Sequence, residues 1–186
     1  MTESAYLTGR LLLAMPGMGD PRFAHAAVAI YVHDAHGALG ICVGRINPRL
    51  RLHELLEDVG IEPGVAPDCP VLDGGPVEPQ RGFVLHSPDW QGPGTIEAEP
   101  LGCLSASIEV LRAIAAGEGP KRWLVALGYA GWGAGQLDGE MRRHGWYAAE
   151  GRAEVLFDTP PEARWHAAWH AEGIDPAHLA GQTGRA

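Results

Sequence analysis

The segment from Gly128 to Leu137 reads Gly-Tyr-Ala-Gly-Trp-Gly-Ala-Gly-Gln-Leu and follows directly on the apolar run Trp123-Leu-Val-Ala-Leu127. Together these fifteen residues narrow the possible folds more than any other stretch of the chain. The run predicts a central strand, since it is apolar throughout and rich in residues that suit a sheet buried on both faces. Glycine tolerates positive φ and close backbone approach, so four of them around Trp132 predict a tightly folded turn at the strand's end. Trp132 carries too much apolar surface to be left in water and is expected to anchor that turn. A short helix with Leu137, Glu140 and Met141 should follow and end near Gly145.

The remaining chain supplies the elements around that strand. Leu11 to Ala14 reads as a strand running into the irregular loop Met15-Pro-Gly-Met-Gly-Asp-Pro21. Val28 to Val32 and Ala38 to Val43 read as two strands of a hairpin about His33 to Gly37. Leu52, Leu55, Leu56 and Val59 share a helical face closed by Gly60. Val71-Leu72 and Arg81 to His86 are further strands, and Thr95 to Glu97 is an edge strand. A helix holds Ile108, Leu111 and Ala115, with Ser105 or Ser107 as its N-cap and Gly117 after its end. Trp146-Tyr147 and Val155 to Phe157 are read as strands. Thr159-Pro160 begins a helix that carries Trp165, Ala168 and Trp169, and Asp175-Pro176 opens a final turn. The chain, residues 1–186, is read as one α/β domain.

Composition excludes several classes of function. An apolar fraction of 46% and a charged fraction of 20% belong to a folded globular chain. No apolar run approaches the roughly 20 residues of a membrane span, and the acidic N-terminus lacks the pattern of a secretory signal, so cytoplasmic residence is expected. Cys42, Cys69 and Cys103 are widely spaced and read as reduced, mostly buried thiols. The net charge is −9, with thirteen arginines and the single lysine Lys121. Such an acidic chain is unsuited to DNA, whose affinity comes largely from neutralised phosphates. The clusters Arg45, Arg49, Arg51 and Arg142-Arg143-His144 are modest and read as solvated surface.

Motifs for established chemistries fail on spacing. Gly131-x-Gly133 is followed by Gln136 where a dinucleotide fingerprint needs glycine, and Gly17-x-Gly19 by Arg22. A glycine-rich turn entering a helix can still offer N–H groups to an anion. His166 and His170 share a helical face and His33 and His36 a turn, yet neither pair has a third ligand, so no metal is expected. Ser87 and His86 point to opposite faces of a strand, and no Gly-x-Ser-x-Gly elbow exists. No cofactor is implied. What remains is a set of polar residues where strands end in loops: Asp20 and Arg22, Asp73 with Gly74 and Gly75, His86, and Trp132, Gln136 and Glu140. Ligand sites in open α/β sheets concentrate at strand ends, so these form a candidate pocket. The same residues have plain structural uses, since aspartate before Pro or Gly-Gly is turn chemistry and Gln136 or Glu140 can cap a helix.

Four motifs in order resemble the AlgH family, also called YqgE, nearly end to end. They are Ala14-Met-Pro-Gly-Met-Gly-Asp-Pro-Arg-Phe23, Gly74-Gly-Pro-Val77 with Arg81 to His86, Gly128 to Leu137 with Glu140 and Trp146, and Leu156-Phe-Asp158 with Arg164-Trp165. The chain departs from the family at its third strand, where Gly44 replaces an asparagine and Pro48 is displaced from Arg45. The resemblance implies a single domain with a bifurcated mixed sheet, curled into a partial barrel and flanked by helices. It implies little about activity, since the family's label of transcriptional regulator derives from effects on alginate production. The leading expectation is a cytoplasmic regulatory or adaptor protein, not an enzyme, acting through a protein or small-molecule partner. A ligand sensor or enzyme using the strand-end pocket is the alternative, and direct DNA binding ranks last.

Overall fold

The computed structural model describes residues 6–17, 23–143 and 145–183. Its organising element is β9 (Trp123–Gly133), eleven residues long. The predicted strand thus runs on through the glycine-rich segment, and the chain turns only beyond Gly133. Trp132 lies within a strand and not in a turn. Gly128, at φ +79°, explains how. Leu124, Ala126 and Tyr129 face one hydrophobic cluster, whereas Val125, Leu127, Ala130 and Trp132 face the other side. The alternation slips by one residue at Gly128, as it does at a β-bulge.

The bulge is also where the sheet forks. One edge of β9 pairs antiparallel with β6 (Val77–His86) along most of its length. The other edge is shared: β5 (Pro70–Asp73) runs parallel to Ala126-Leu127, and β3 (Gly37–Cys42) runs antiparallel to Ala130–Gly133. One arm continues from β3 through β2 (Ala27–Asp34) and β1 (Leu11–Ala14) to β10 (Trp146–Ala149). The other continues from β6 through β8 (Cys103–Ser105) to β7 (Ile96–Glu97), while β4 (Ile46–Arg51) pairs with β5. The sheet is mixed and does not close. In the fork, Gly74 N–H donates to the Leu127 carbonyl and Cys42 N–H to the Gly74 carbonyl, both at 2.8 Å. A Cβ on Gly128 would lie 2.4 Å from the Gly75 carbonyl oxygen, and one on Gly75 2.2 Å from the Tyr129 carbonyl carbon. Gly74-Gly75 and Gly128 are therefore the contact at which the arms cross.

One face of the forked sheet bears a shared core, with Leu11, Leu13, Tyr31, Ile41, Phe83 and Leu85 packed with Trp165 and Trp169. The opposite face bears two separate cores. Helices α1 (Leu52–Asp58) and α2 (Ile108–Ala116) cover the one built on Val71, Val84 and Val125. The other, on Leu12, Val28, Ile30 and Trp132, is covered by Leu137 of α3 (Gln136–Arg142).

Several local expectations change. Val155 to Phe157 lies in helix α4 (Ala153–Phe157) and is not a strand. The Arg164 guanidinium, buried in α5 (Arg164–Ala171), donates to the Val43 and Leu156 carbonyls, both at 2.7 Å, and so fixes that helix against β3's end. Asp175-Pro176 opens a helix, α6 (Pro176–Thr183). Ser107, not Ser105, takes the N-cap position of α2, since Ser105 is in β8. Val59 is exposed at the end of α1. The arginine cluster at Arg45 to Arg51 forms the edge strand β4 and its approach.

Candidate functional site

Helix α3 is set at a fixed height over β9. Leu137 is buried beneath it, and Asp138 on its flank faces His33 of β2 at 3.6 Å. Leu7 N–H donates to His33 Nδ1 at 2.9 Å, so the imidazole proton sits on Nε2, the nitrogen turned toward Asp138. Two residues further along the helix, Glu140 reaches back to the strand. Its Oε2 accepts from Trp132 Nε1 at 2.8 Å and from Trp146 Nε1 at 3.2 Å. Its Oε1 accepts from Gln136 Nε2 at 3.3 Å, and Gln136 Oε1 accepts from Gly133 N–H at 3.0 Å. One carboxylate thus joins β9, β10 and α3. The Gly133 amide, which an anion would need, is already taken.

These residues line a cleft of about 450 Å³ whose other walls are Phe23, Pro76, Val77, Gly131 and Arg143. Phe23 stands edge-on to Trp146 with ring centroids 5.7 Å apart, and Trp146 edge-on to Trp132 at 6.5 Å. Phe23 and Pro76 also wall a second depression of about 300 Å³, lined by Cys42, Gly44, Arg45, Asp73 and Gly75. The Cys42 thiol there is pushed up to about 12, first by burial and then by the Asp73 charge, with Arg45 opposing. It stays protonated and is a poor nucleophile.

The expected set therefore gathers in part. Trp132, Gln136 and Glu140 converge. Asp73 and Gly75 line the neighbouring depression, and Gly74 is buried behind them in the fork. Asp20 and Arg22 lie outside the described residues. His86 is elsewhere: it pairs with Trp123 at the opposite end of β9, nine residues from Trp132, or about 30 Å at a strand's rise. Its Nδ1 bonds the Ser87 carbonyl at 2.8 Å and so must donate, leaving Nε2 to accept from Ser105 Oγ, also at 2.8 Å. Ser105 lies one strand away on β8, a pairing that needs the sheet order to be seen. Both residues are 0% exposed, so this Ser-His pair is sealed from substrate and serves packing. Sequence reasoning also left Phe23, Pro76 and Arg143 out of the pocket; Phe23 and Pro76 had stood only as letters of the family motifs.

The AlgH-like family profile (DUF179) matches residues 11–177. The chain belongs to the AlgH-like family. Curated relatives include UPF0301 proteins of Novosphingobium aromaticivorans and Rhizorhabdus wittichii, 68% and 57% identical over 186 residues, with both chains fully covered. Among solved structures, AlgH of Pseudomonas aeruginosa is 38% identical and superposes with a TM-score of 0.81, covering 100% of this chain and 99% of that one. A Corynebacterium diphtheriae protein at 16% identity shares the fold, with a TM-score of 0.72 over 97% of this chain and 94% of its own. Among the described residues no group of three or more His, Cys, Asp or Glu could hold a metal, and no helix is long and apolar enough to cross a membrane.

Proposed function

We propose that this AlgH-like chain is a non-enzymatic regulatory or adaptor protein of the cytoplasm that acts by binding a partner at the Trp132–Trp146 cleft. The observation that carries this reading is the Glu140 carboxylate, whose oxygens hold two indoles and an amide in place. A carboxylate so engaged builds a rigid, aromatic-walled surface rather than moving protons. The partner is a small molecule or a protein side chain that fits this volume. The convergence of Trp132, Gln136 and Glu140 gives the ligand-sensor reading specific support, and the two readings share one site. Any effect on transcription would pass through that partner, because a net charge of −9 repels a phosphate backbone.

Thermal-shift screening of metabolites against the wild type, Trp132→Ala and Gln136→Ala tests the reading. Trp132→Ala empties a wall of the cleft, and the exposed Gln136 offers a change that spares the core. A stabilising compound whose effect is lost in both folded variants is the expected result. Compounds that stabilise all three proteins equally would move binding away from this cleft and overturn the proposal.

A further inference from the structure

The cleft is walled by aromatic rings around a carboxylate, and its charge balance selects among ligands. Glu140 receives three donors, all of them neutral, and makes no ion pair among the described residues. A carboxylate offers about four acceptor sites. Two are filled on Oε2 and one on Oε1, so Oε1 keeps an acceptor site. The indole N–H groups are both turned to Glu140, so neither indole has a donor left for a ligand. Phe23 and Pro76 add apolar wall and no donor.

We propose that this cleft recognises an organic cation, an alkylammonium or guanidinium group. The proposal rests on the cleft being the binding site and adds the chemical class of what it binds. Aromatic faces attract cations through their quadrupole, and a carboxylate at the back adds a directed charge-assisted hydrogen bond. The net charge of −9 concentrates cations near the molecule and disfavours anions. Arg143 is the cation among the described lining residues, and it opposes this ligand from the exposed mouth. It therefore acts as a selectivity element: removing it strengthens cation binding. The cation comes either as a free small molecule or as a basic side chain presented by a protein.

Calorimetric titration of the full chain separates these sources. The probes are tetramethylammonium, an arginine-containing hexapeptide blocked at both ends, and benzoate and inorganic phosphate as anions. Proteins are the wild type, Glu140→Gln, which keeps an acceptor for the indoles while removing the charge, and Arg143→Gln, with folding checked by circular dichroism. At least one cation is expected to bind, about tenfold more weakly in Glu140→Gln and several-fold more tightly in Arg143→Gln. The tighter of the two cationic probes identifies the source. Cation binding unaffected by Glu140→Gln overturns the proposal. Binding of an anion alone, lost in Arg143→Gln, also overturns it while leaving the cleft a binding site. Failure of every probe in all three proteins counts against both.

Discussion

Glu140, half-buried, and His86, fully buried, are polar residues that sequence reasoning placed in one pocket, and their hydrogen bonds separate them. Glu140 faces a cleft and retains an acceptor site; His86 is enclosed between Ser87, Ser105 and the Trp90 ring. Burial holds the His86 imidazole below its ordinary value, with the Ser87 carbonyl and the Asp89 charge opposing that shift. The folded protein thus binds a proton at His86 less readily than the unfolded chain does. Its contribution to stability is complete above the unfolded pKa of about 6.5 and is lost as pH falls through the folded value. We expect the thermal midpoint of the wild type to fall between about pH 7.5 and 5.5, and that fall to shrink in His86→Gln. Equal pH profiles for the two proteins would show that His86 does not set the slope.

At the scale of elements, the glycines of the second and third family motifs meet in space. Gly74-Gly75 and Gly128 form the crossing of the sheet's arms, and the bulge at Gly128 directs Trp132 onto the face that carries the cleft. A side chain at 128 would meet both a positive φ and the Gly75 carbonyl. Gly128→Ala should cost about 3 kcal/mol or more. Gly135→Ala, also at positive φ but with no atom within 4 Å of its Cβ, should cost about 1 kcal/mol. Urea unfolding midpoints compare the pair directly, and equal costs would mean that close approach plays no part. Strands with continuous apolar runs, such as Val28 to Val32 and Trp123 to Leu127, were legible because burial on both faces leaves its mark in composition. Val155 to Phe157 misled, since three apolar residues fit a strand or a buried helix equally, and only packing with Trp165 and Trp169 decides. The extension of β9 through its glycines was hidden for a different reason: glycine permits a turn and a bulged strand alike, and the choice belongs to β3 and β6 alongside.

The whole molecule is a forked, open sheet with one core shared by both arms and two cores on the reverse. Half of the candidate site was readable, because Trp132, Gln136 and Glu140 are neighbours in sequence on a strand and the helix after it. The half supplied by Phe23, Pro76 and Trp146 depends on sheet order, which local pattern does not contain. At this scale charge governs encounters. A retardation assay with duplex DNA at physiological salt is expected to show no shift, and a salt-sensitive shift would reverse that ranking. The tie between Trp132 and Trp146 has a practical consequence as well. Both indoles end on one carboxylate oxygen, so any change of charge or hydrogen bonding at Glu140 alters the electric field at two of the chain's six tryptophans together. The cleft is in that sense its own indicator, reporting its occupancy in near-ultraviolet emission without a label.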